Sequence, residues 1–318
     1  MSNVSRPLIK VIEIEPFVKD ILKITDEKEI RKAIQQIGDA ERNCSFYAEH
    51  STLHSIDYRD INFRSTEQRE KLCSRVLSEL KNNVRLKNDD DINLGCGGAR
   101  PPTNIQADSQ LFYIIGLPAS GKSGISNAIA DYYGAYILDS DYAKRKLPEY
   151  RVNGGASLVH EESDEIIFNQ KDDNLLRFCI ENKYNMVIPK IGHNKNKVCK
   201  FCEKMNSIGY TVNLISIDLD RVAATKRAYY RFMESQRYVP LSLIFDTYSN
   251  QPSLNYFKIK QEVPPFISGY AQISTDVLLG ENPILLEEEN LDSFNVIFPN
   301  RKLGGKSNGK NAVYEELI

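Results

Sequence analysis

The chain has 318 residues, of which 41% are hydrophobic and 26% charged, with a net charge of -2. That balance is the one of a folded globular protein; it excludes a wholly disordered chain and any global attraction to nucleic acid or an anionic membrane. The N-terminus lacks the unbroken apolar run of a secretion signal, no stretch approaches membrane-spanning length, and six scattered cysteines read as reduced thiols, so a cytoplasmic location is expected.

The first segment reads as helical. Glu15-Pro16 opens a short amphipathic stretch to Lys23, Asp26 and Glu29 make a capping pair, and Ile30, Ile34 and Ile37 repeat at helical spacing. A second helix starts at Ser65 with Gln68 three residues on, and carries Leu72, Val76 and Leu80 on one face. Residues 87–109 gather Asp89-Asp90-Asp91, Gly95, Gly97, Gly98, Pro101 and Pro102, a composition that regular elements tolerate poorly and that marks a linker. Beyond it come strand 110–116, helix 121–133, strand 135–139, helices within 154–182, strand 185–191, helix 195–208, strand 210–218 and helix 220–236. Such alternation predicts an α/β fold with a central parallel sheet flanked by helices. A helix near 241–248 and a strand near 256–259 follow, and the polar stretch from Arg301 reads as a flexible tail. Cys199-Lys-Phe-Cys202 with His193 nearby has metal-like spacing, but no second pair completes four ligands, and the two thiols read as buried helical residues.

Leu111-Phe-Tyr-Ile-Ile115 is a short apolar run that stops at Gly116, as a buried parallel strand does. Gly116-Leu-Pro-Ala119-Ser120-Gly121-Lys122-Ser123 follows at once and Gly124 comes next. The two loop glycines let the backbone curl so that N–H groups face phosphate oxygens, and the positive end of the following helix adds to them. Gly116, Ala119, Ser120, Gly121, Lys122, Ser123 and Gly124 are therefore expected to bind ATP. Lys122 should reach the β- and γ-phosphates while Ser123 holds Mg²⁺.

The next strand separates kinases from switch and motor ATPases. Ala135-Tyr-Ile-Leu-Asp139-Ser-Asp141 ends in two carboxylates at the carboxyl edge, where open α/β sheets bind ligands. One residue apart on an extended segment, the two share a side. Asp141 is the candidate base for the attacking hydroxyl, and Asp139 the candidate for Mg²⁺ through water or for orienting Ser123. The alternatives are a helix cap for Asp139 and a solvated carboxylate for Asp141. Further on, Asp220 caps a helix on which Arg227 and Arg231 lie four apart, and Arg237 follows before Pro240. Planar guanidinium forks match phosphate oxygens, which makes Arg227 and Arg237 candidates for the γ-phosphate, against the ordinary reading of a solvated helix face.

These residues, in this order, resemble the zeta toxin family, ATP-dependent kinases of bacterial toxin–antitoxin systems. The resemblance covers residues 108–255 and rests on Gly116 to Ser123; Leu138-Asp-Ser-Asp-Tyr142 with Lys144-Arg145; Val159-His160-Glu161-Glu162-Ser163; Tyr184-Asn-Met-Val-Ile-Pro-Lys190; and Arg227 with Arg237-Tyr-Val-Pro240. It implies a P-loop kinase fold, phosphorylation of the 3′-hydroxyl of UDP-N-acetylglucosamine, Asp141 as base, Arg227 and Arg237 on the ATP phosphates, and Glu162 as a substrate-contacting acid. The chain departs from the pattern at Ile188-Pro189-Lys190-Ile191-Gly192-His193, where UDP-sugar kinases of the family carry an acidic, hydroxyl-bearing motif. Pro and Lys in place of an acid reverse the local charge. Another nucleotide sugar, a dinucleotide such as NAD, or a smaller metabolite therefore stays open as the acceptor, with Lys190 and His193 on its anionic groups.

The organisation expected is a helical domain over 1–86, a linker over 87–109, a zeta-toxin-like P-loop kinase domain over 110–300 and a tail over 301–318. Zeta kinases are commonly silenced by a separate helical antitoxin, so the resemblance implies an antitoxin partner, or inhibition by the attached residues 1–86. A polynucleotide 5′-hydroxyl kinase is the competing reading, and it needs a basic groove. Lys144-Arg145-Lys146 is the one dense basic cluster in the core, and a nucleic-acid partner is not expected. A nucleotide-holding scaffold without catalysis is the other alternative; the presence of both Lys122 and Asp141 argues against it.

Overall fold

The computed structural model describes residues 7–169, 173–278 and 280–302. In chain order the elements are α1 (Val11–Pro16), α2 (Glu27–Ala48), α3 (Thr66–Asn82), β1 (Gln110–Ile115), α4 (Lys122–Tyr132), β2 (Tyr136–Ile137), α5 (Ser140–Lys146), α6 (Gly155–Leu158) and α7 (His160–Phe168). There follow α8 (Leu175–Glu181), β3 (Met186–Lys190), α9 (Lys195–Ser207), β4 (Thr211–Asp218), α10 (Arg221–Ser235), α11 (Gln251–Glu262), β5 (Gly269–Ser274), β6 (Ile284–Glu289) and α12 (Phe294–Ile297). The described residues form two compact units, one built from 109–132 and from those between 186 and 302, the other from 8–108 and from those between 133 and 185.

The first unit holds a sheet in the order β3-β1-β4-β5-β6. β1 lies parallel between β3 and β4, and β5 continues the parallel set on the far side of β4. β6 runs antiparallel to β5, with a bulge at Gln272/Ile273. Leu111 to Ile115, Met186 to Ile188 and Val212, Leu214, Ile215 and Ile217 are all buried, the continuous apolar pattern of strands covered on both faces. β5 and β6 carry no clear strand signal in sequence, since one includes Gly269 and Gln272 and the other ends in three glutamates. Residues 256–259, expected as a strand, are helical within α11. Pro252 sits in the first turn, where a missing N–H costs nothing, and Tyr256 and Ile259 bury one helical face.

The second unit joins the N-terminal helices to the segment that follows α4. Asp26 caps α2 by accepting from Lys28 and Glu29, and Ser65 and Gln68 form the capping box of α3. Residues 87–109, read from composition as a linker, are held by specific bonds. Ala99 N–H donates to Leu80 O at 3.0 Å, Ile137 N–H to Ala99 O at 3.1 Å, and Arg85 N–H to Arg100 O at 2.7 Å. A Cβ on Gly98 would stand 2.1 Å from Asn83 O, so glycine here permits close backbone approach rather than freedom. The expected break between 1–86 and the rest is likewise bridged within this unit, because α3 ion-pairs with residues of α5, α7 and the 148–151 turn. Residues 303–318, most of the expected tail, lie outside the described residues. Among the described residues no helix is long and apolar enough to cross a membrane.

Candidate active site

In the first unit, β1 ends at Ile115 and the loop 116–121 leads into α4. Gly116 N–H donates to Ile191 O at 3.1 Å, which ties the loop's first residue to the chain leaving β3. A Cβ on Gly116 would come within 3.0 Å of both Ile217 Cβ and Ser120 Oγ. Ala119 at φ 59 and Gly121 at φ 82 are both left-handed, so the loop is wound tightly on itself and Ala119 bears strain. Lys122 folds back over it, its ammonium donating to Gly116 O at 2.8 Å and Leu117 O at 2.5 Å. Ser123 and Gly124 are exposed in the first turn of α4, where the helix presents its positive end.

A residue beyond β5 completes this loop. Thr275, buried, donates from Oγ1 to Ser120 O at 2.8 Å, and its own carbonyl accepts from Arg227 Nη2 at 2.8 Å. Arg227 also reaches Val277 O at 3.3 Å. The candidate arginine on α10 and the phosphate loop are thus linked through one threonine that sequence reading missed, because the strand delivering it was missed. Lys190 ends β3, in register with Ile115, and stands at the same carboxyl edge. Gly192, at φ 78, leaves no room for a side chain: a Cβ would lie 2.5 Å from Ile115. His193 follows it, exposed, its ring 5.0 Å from that of Tyr248. Partial burial and the Lys197 charge hold its pKa below the ordinary histidine value. Arg237 comes one residue after Gln236, the left-handed residue that ends α10, and its N–H donates to Ser235 Oγ at 3.4 Å.

The carboxylates belong to the second unit. Asp139 caps α5, Oδ1 accepting from Asp141 N–H at 2.9 Å. Burial, with the Asp141 charge beside it, pushes its carboxyl up to about 6. Asp141 forms an ion pair with Lys144 at 2.9 Å. Burial opposes the Lys144 charge, but Asp141 overcomes it and leaves the ammonium above its usual range. Asp139 and Ser123 are hard oxygen donors of the kind Mg²⁺ takes. Along the same helix, a cleft of about 480 Å³ is lined by residues 90–93 together with Arg145, Tyr150 and Arg151.

Glu162, expected to touch substrate, is committed elsewhere. It is buried, and its two oxygens accept from Arg69 Nε at 2.7 Å and Nη2 at 2.5 Å, from Thr52 Oγ1 at 2.5 Å and from Cys73 Sγ at 3.3 Å. The remaining face of Arg69 donates to Glu149 at 2.7 and 3.2 Å. Its acceptor directions are thus used inside the unit, which gives Glu162 a structural part in joining α3 to α7. Its depressed pKa has burial working against the charge and Arg69 outweighing it. The basic cluster is committed in the same way. Lys144 pairs with Asp141, Arg145 with Asp90 at 3.2 Å, and Lys146 with Glu79 at 2.8 Å, the last with a fully buried side chain.

The family model described as Zeta toxin matches residues 102–263. Among solved structures, a chain of the PezAT chromosomal toxin-antitoxin system of Streptococcus pneumoniae is 14% identical at a TM-score of 0.47, over 79% of this chain and 93% of that one. A chain of the AvrRxo1-ORF1:-ORF2 complex is 14% identical at 0.44, over 86% and 88%. A gluconokinase from Sinorhizobium meliloti 1021 is 13% identical at 0.33, over 67% and 97%. No curated protein matches the chain.

Proposed function

Given that this chain belongs to the zeta toxin family and is a P-loop phosphotransferase, we propose that it transfers the γ-phosphate of ATP to a hydroxyl of a nucleotide sugar or related nucleotide. The observation that carries this reading is the phosphate loop itself, with Lys122 folded over two of its carbonyls at the head of α4. Backbone N–H groups and the helix end bind the terminal phosphates, and Lys122 supplies the fixed positive charge that phosphoryl transfer needs. Ser123, in the first unit, and Asp139, in the second, each offer an oxygen donor of the kind Mg²⁺ takes, and the ion would supply charge neutralisation to the phosphates. Asp141 takes the hydroxyl proton, Lys144 keeping the carboxylate paired in its charged form until then. Arg227 and Arg237 serve the γ-phosphate, the first held from behind by the Thr275 and Val277 carbonyls.

Lys190 and His193, at the sheet edge where family members carry acid, support an acceptor with anionic groups. UDP-N-acetylglucosamine, another nucleotide sugar and NAD all satisfy that description. A polynucleotide acceptor is disfavoured, because Lys144, Arg145 and Lys146 are engaged in internal ion pairs rather than offered to a phosphate backbone. A separate antitoxin is proposed as partner. The inhibitory role considered for residues 1–86 gives way to a structural one, since Arg69 and Glu79 neutralise buried charges on α5, α7 and the 148–151 turn. Incubating the protein with ATP, Mg²⁺ and a metabolite extract, then following phosphate gain by mass spectrometry, tests the function. A nucleotide sugar or dinucleotide should gain one phosphate with wild type and none with Lys122→Ala; phosphorylation by both proteins, or by neither, ends the reading.

A further inference from the structure

Thr275 makes four separate contacts around the phosphate loop. Its hydroxyl donates to Ser120 O at 2.8 Å, its N–H donates to Asp218 O at 3.2 Å, and its carbonyl accepts from Arg227 at 2.8 Å. Its Cγ2 lies 3.3 Å from where a Cβ on Gly121 would stand. The peptide unit between Ser120 and Gly121 is planar and trans, so its C=O and N–H point in opposite directions. Fixing the Ser120 carbonyl on the Thr275 hydroxyl therefore fixes the Gly121 N–H pointing away from Thr275. The neighbouring left-handed residues, Ala119 and Gly121, give this peptide no help from regular structure. An unrestrained loop would sample the flipped orientation, with the carbonyl presented to an incoming anion.

We propose that Thr275 is a positioning residue for nucleotide binding: its hydroxyl locks the Ser120–Gly121 peptide so that the Gly121 amide is available to a phosphate oxygen. The same residue holds Arg227 through its backbone carbonyl, so changing its side chain separates the two functions. This rests on the loop being the ATP site. Replacing the hydroxyl affects how well the loop binds phosphate and leaves proton transfer at Asp141 alone.

The test compares wild type with Thr275→Val, which keeps the shape and loses the donor, and Thr275→Ser, which keeps the donor. Affinity for the magnesium complex of a non-hydrolysable ATP analogue is measured by titration calorimetry, with KM for ATP, kcat and Tm alongside. Thr275→Val should weaken nucleotide affinity and raise KM about ten-fold, while Thr275→Ser stays within about two-fold of wild type and kcat at saturating ATP is nearly unchanged. Should Thr275→Val lower Tm, Thr275→Ala against Thr275→Ser gives the same comparison at matched packing loss. Equal affinity in wild type and Thr275→Val, or a Ser variant as weak as the Val variant, overturns the proposal while the ATP site stands. Failure of wild type to bind the nucleotide overturns both.

Discussion

Replacing Arg69 by Met removes the cation that pairs with both Glu149 and Glu162, whose side chains are only 5% and 3% exposed. The five guanidinium donors make four bonds to these two carboxylates, and Met restores the volume without the charge. Breaking a buried pair by deleting one partner costs about 3–5 kcal/mol, because the surviving charge stays buried. At about 2–4 °C per kcal/mol for a unit of this size, Tm should fall by about 6–20 °C. The pH dependence supplies a sign that simple packing loss does not. In wild type the Glu162 pKa is depressed, so its contribution is present above the unfolded carboxylate value and is lost as pH falls through the folded one. In Arg69→Met burial acts on Glu162 against only the Thr52 and Cys73 hydrogen bonds and raises its pKa, so the variant should gain more stability than wild type on acidification from about pH 7 to 5. Thermal melts across that range decide it, with Arg69→Met/Glu149→Gln/Glu162→Gln expected to recover much of the loss. A drop under about 3 °C, or parallel pH slopes in wild type and variant, refutes the reasoning.

Three further outcomes are expected. Asp141→Asn should retain nucleotide binding by calorimetry and lose about 10²–10⁴ in kcat; unchanged turnover removes it as base. Asp139, with its carboxyl up at about 6, should give kcat/KM an acid limb rising through that pH, and Asp139→Asn should abolish the limb; the raised value also means that its contribution to stability is present at low pH and lost as pH rises through about 6. Gly192→Ala, at φ 78 and 2.5 Å from Ile115, should cost about 2–4 kcal/mol in urea unfolding, and a neutral result would mean that the β1 and β3 ends yield more readily than their packing implies.

Local signals were legible in the sequence where one stretch of chain settles the outcome. The caps at Asp26, Ser65 and Asp220 depend on residues two or three positions away, and the phosphate loop depends on Gly116, Gly121 and Lys122 within a single turn. The partners of Glu162 and Lys146 could not be read, because Arg69 lies 93 residues from Glu162 and Glu79 lies 67 from Lys146. A glutamate on a helix looks the same whether water or a buried guanidinium meets it. Thr275 was hidden for a related reason: its role comes from a carbonyl 155 residues earlier. The glycine-rich stretch before β1 is ambiguous in the opposite sense, since Gly98 reads as part of a linker where Asn83 O leaves no space for a side chain.

The second unit is assembled from two lengths of chain, 8–108 and 133–185, with β1 and α4 synthesised between them. Arg69 leaves the ribosome 93 residues ahead of Glu162, a delay of roughly 5–20 s at ordinary translation rates. For that interval the nascent α3 must wait with Arg69's ion-pair partner not yet made. Chaperone dependence, and sensitivity of yield to codon-driven pausing, should therefore concentrate in the stretch encoding residues 109–185.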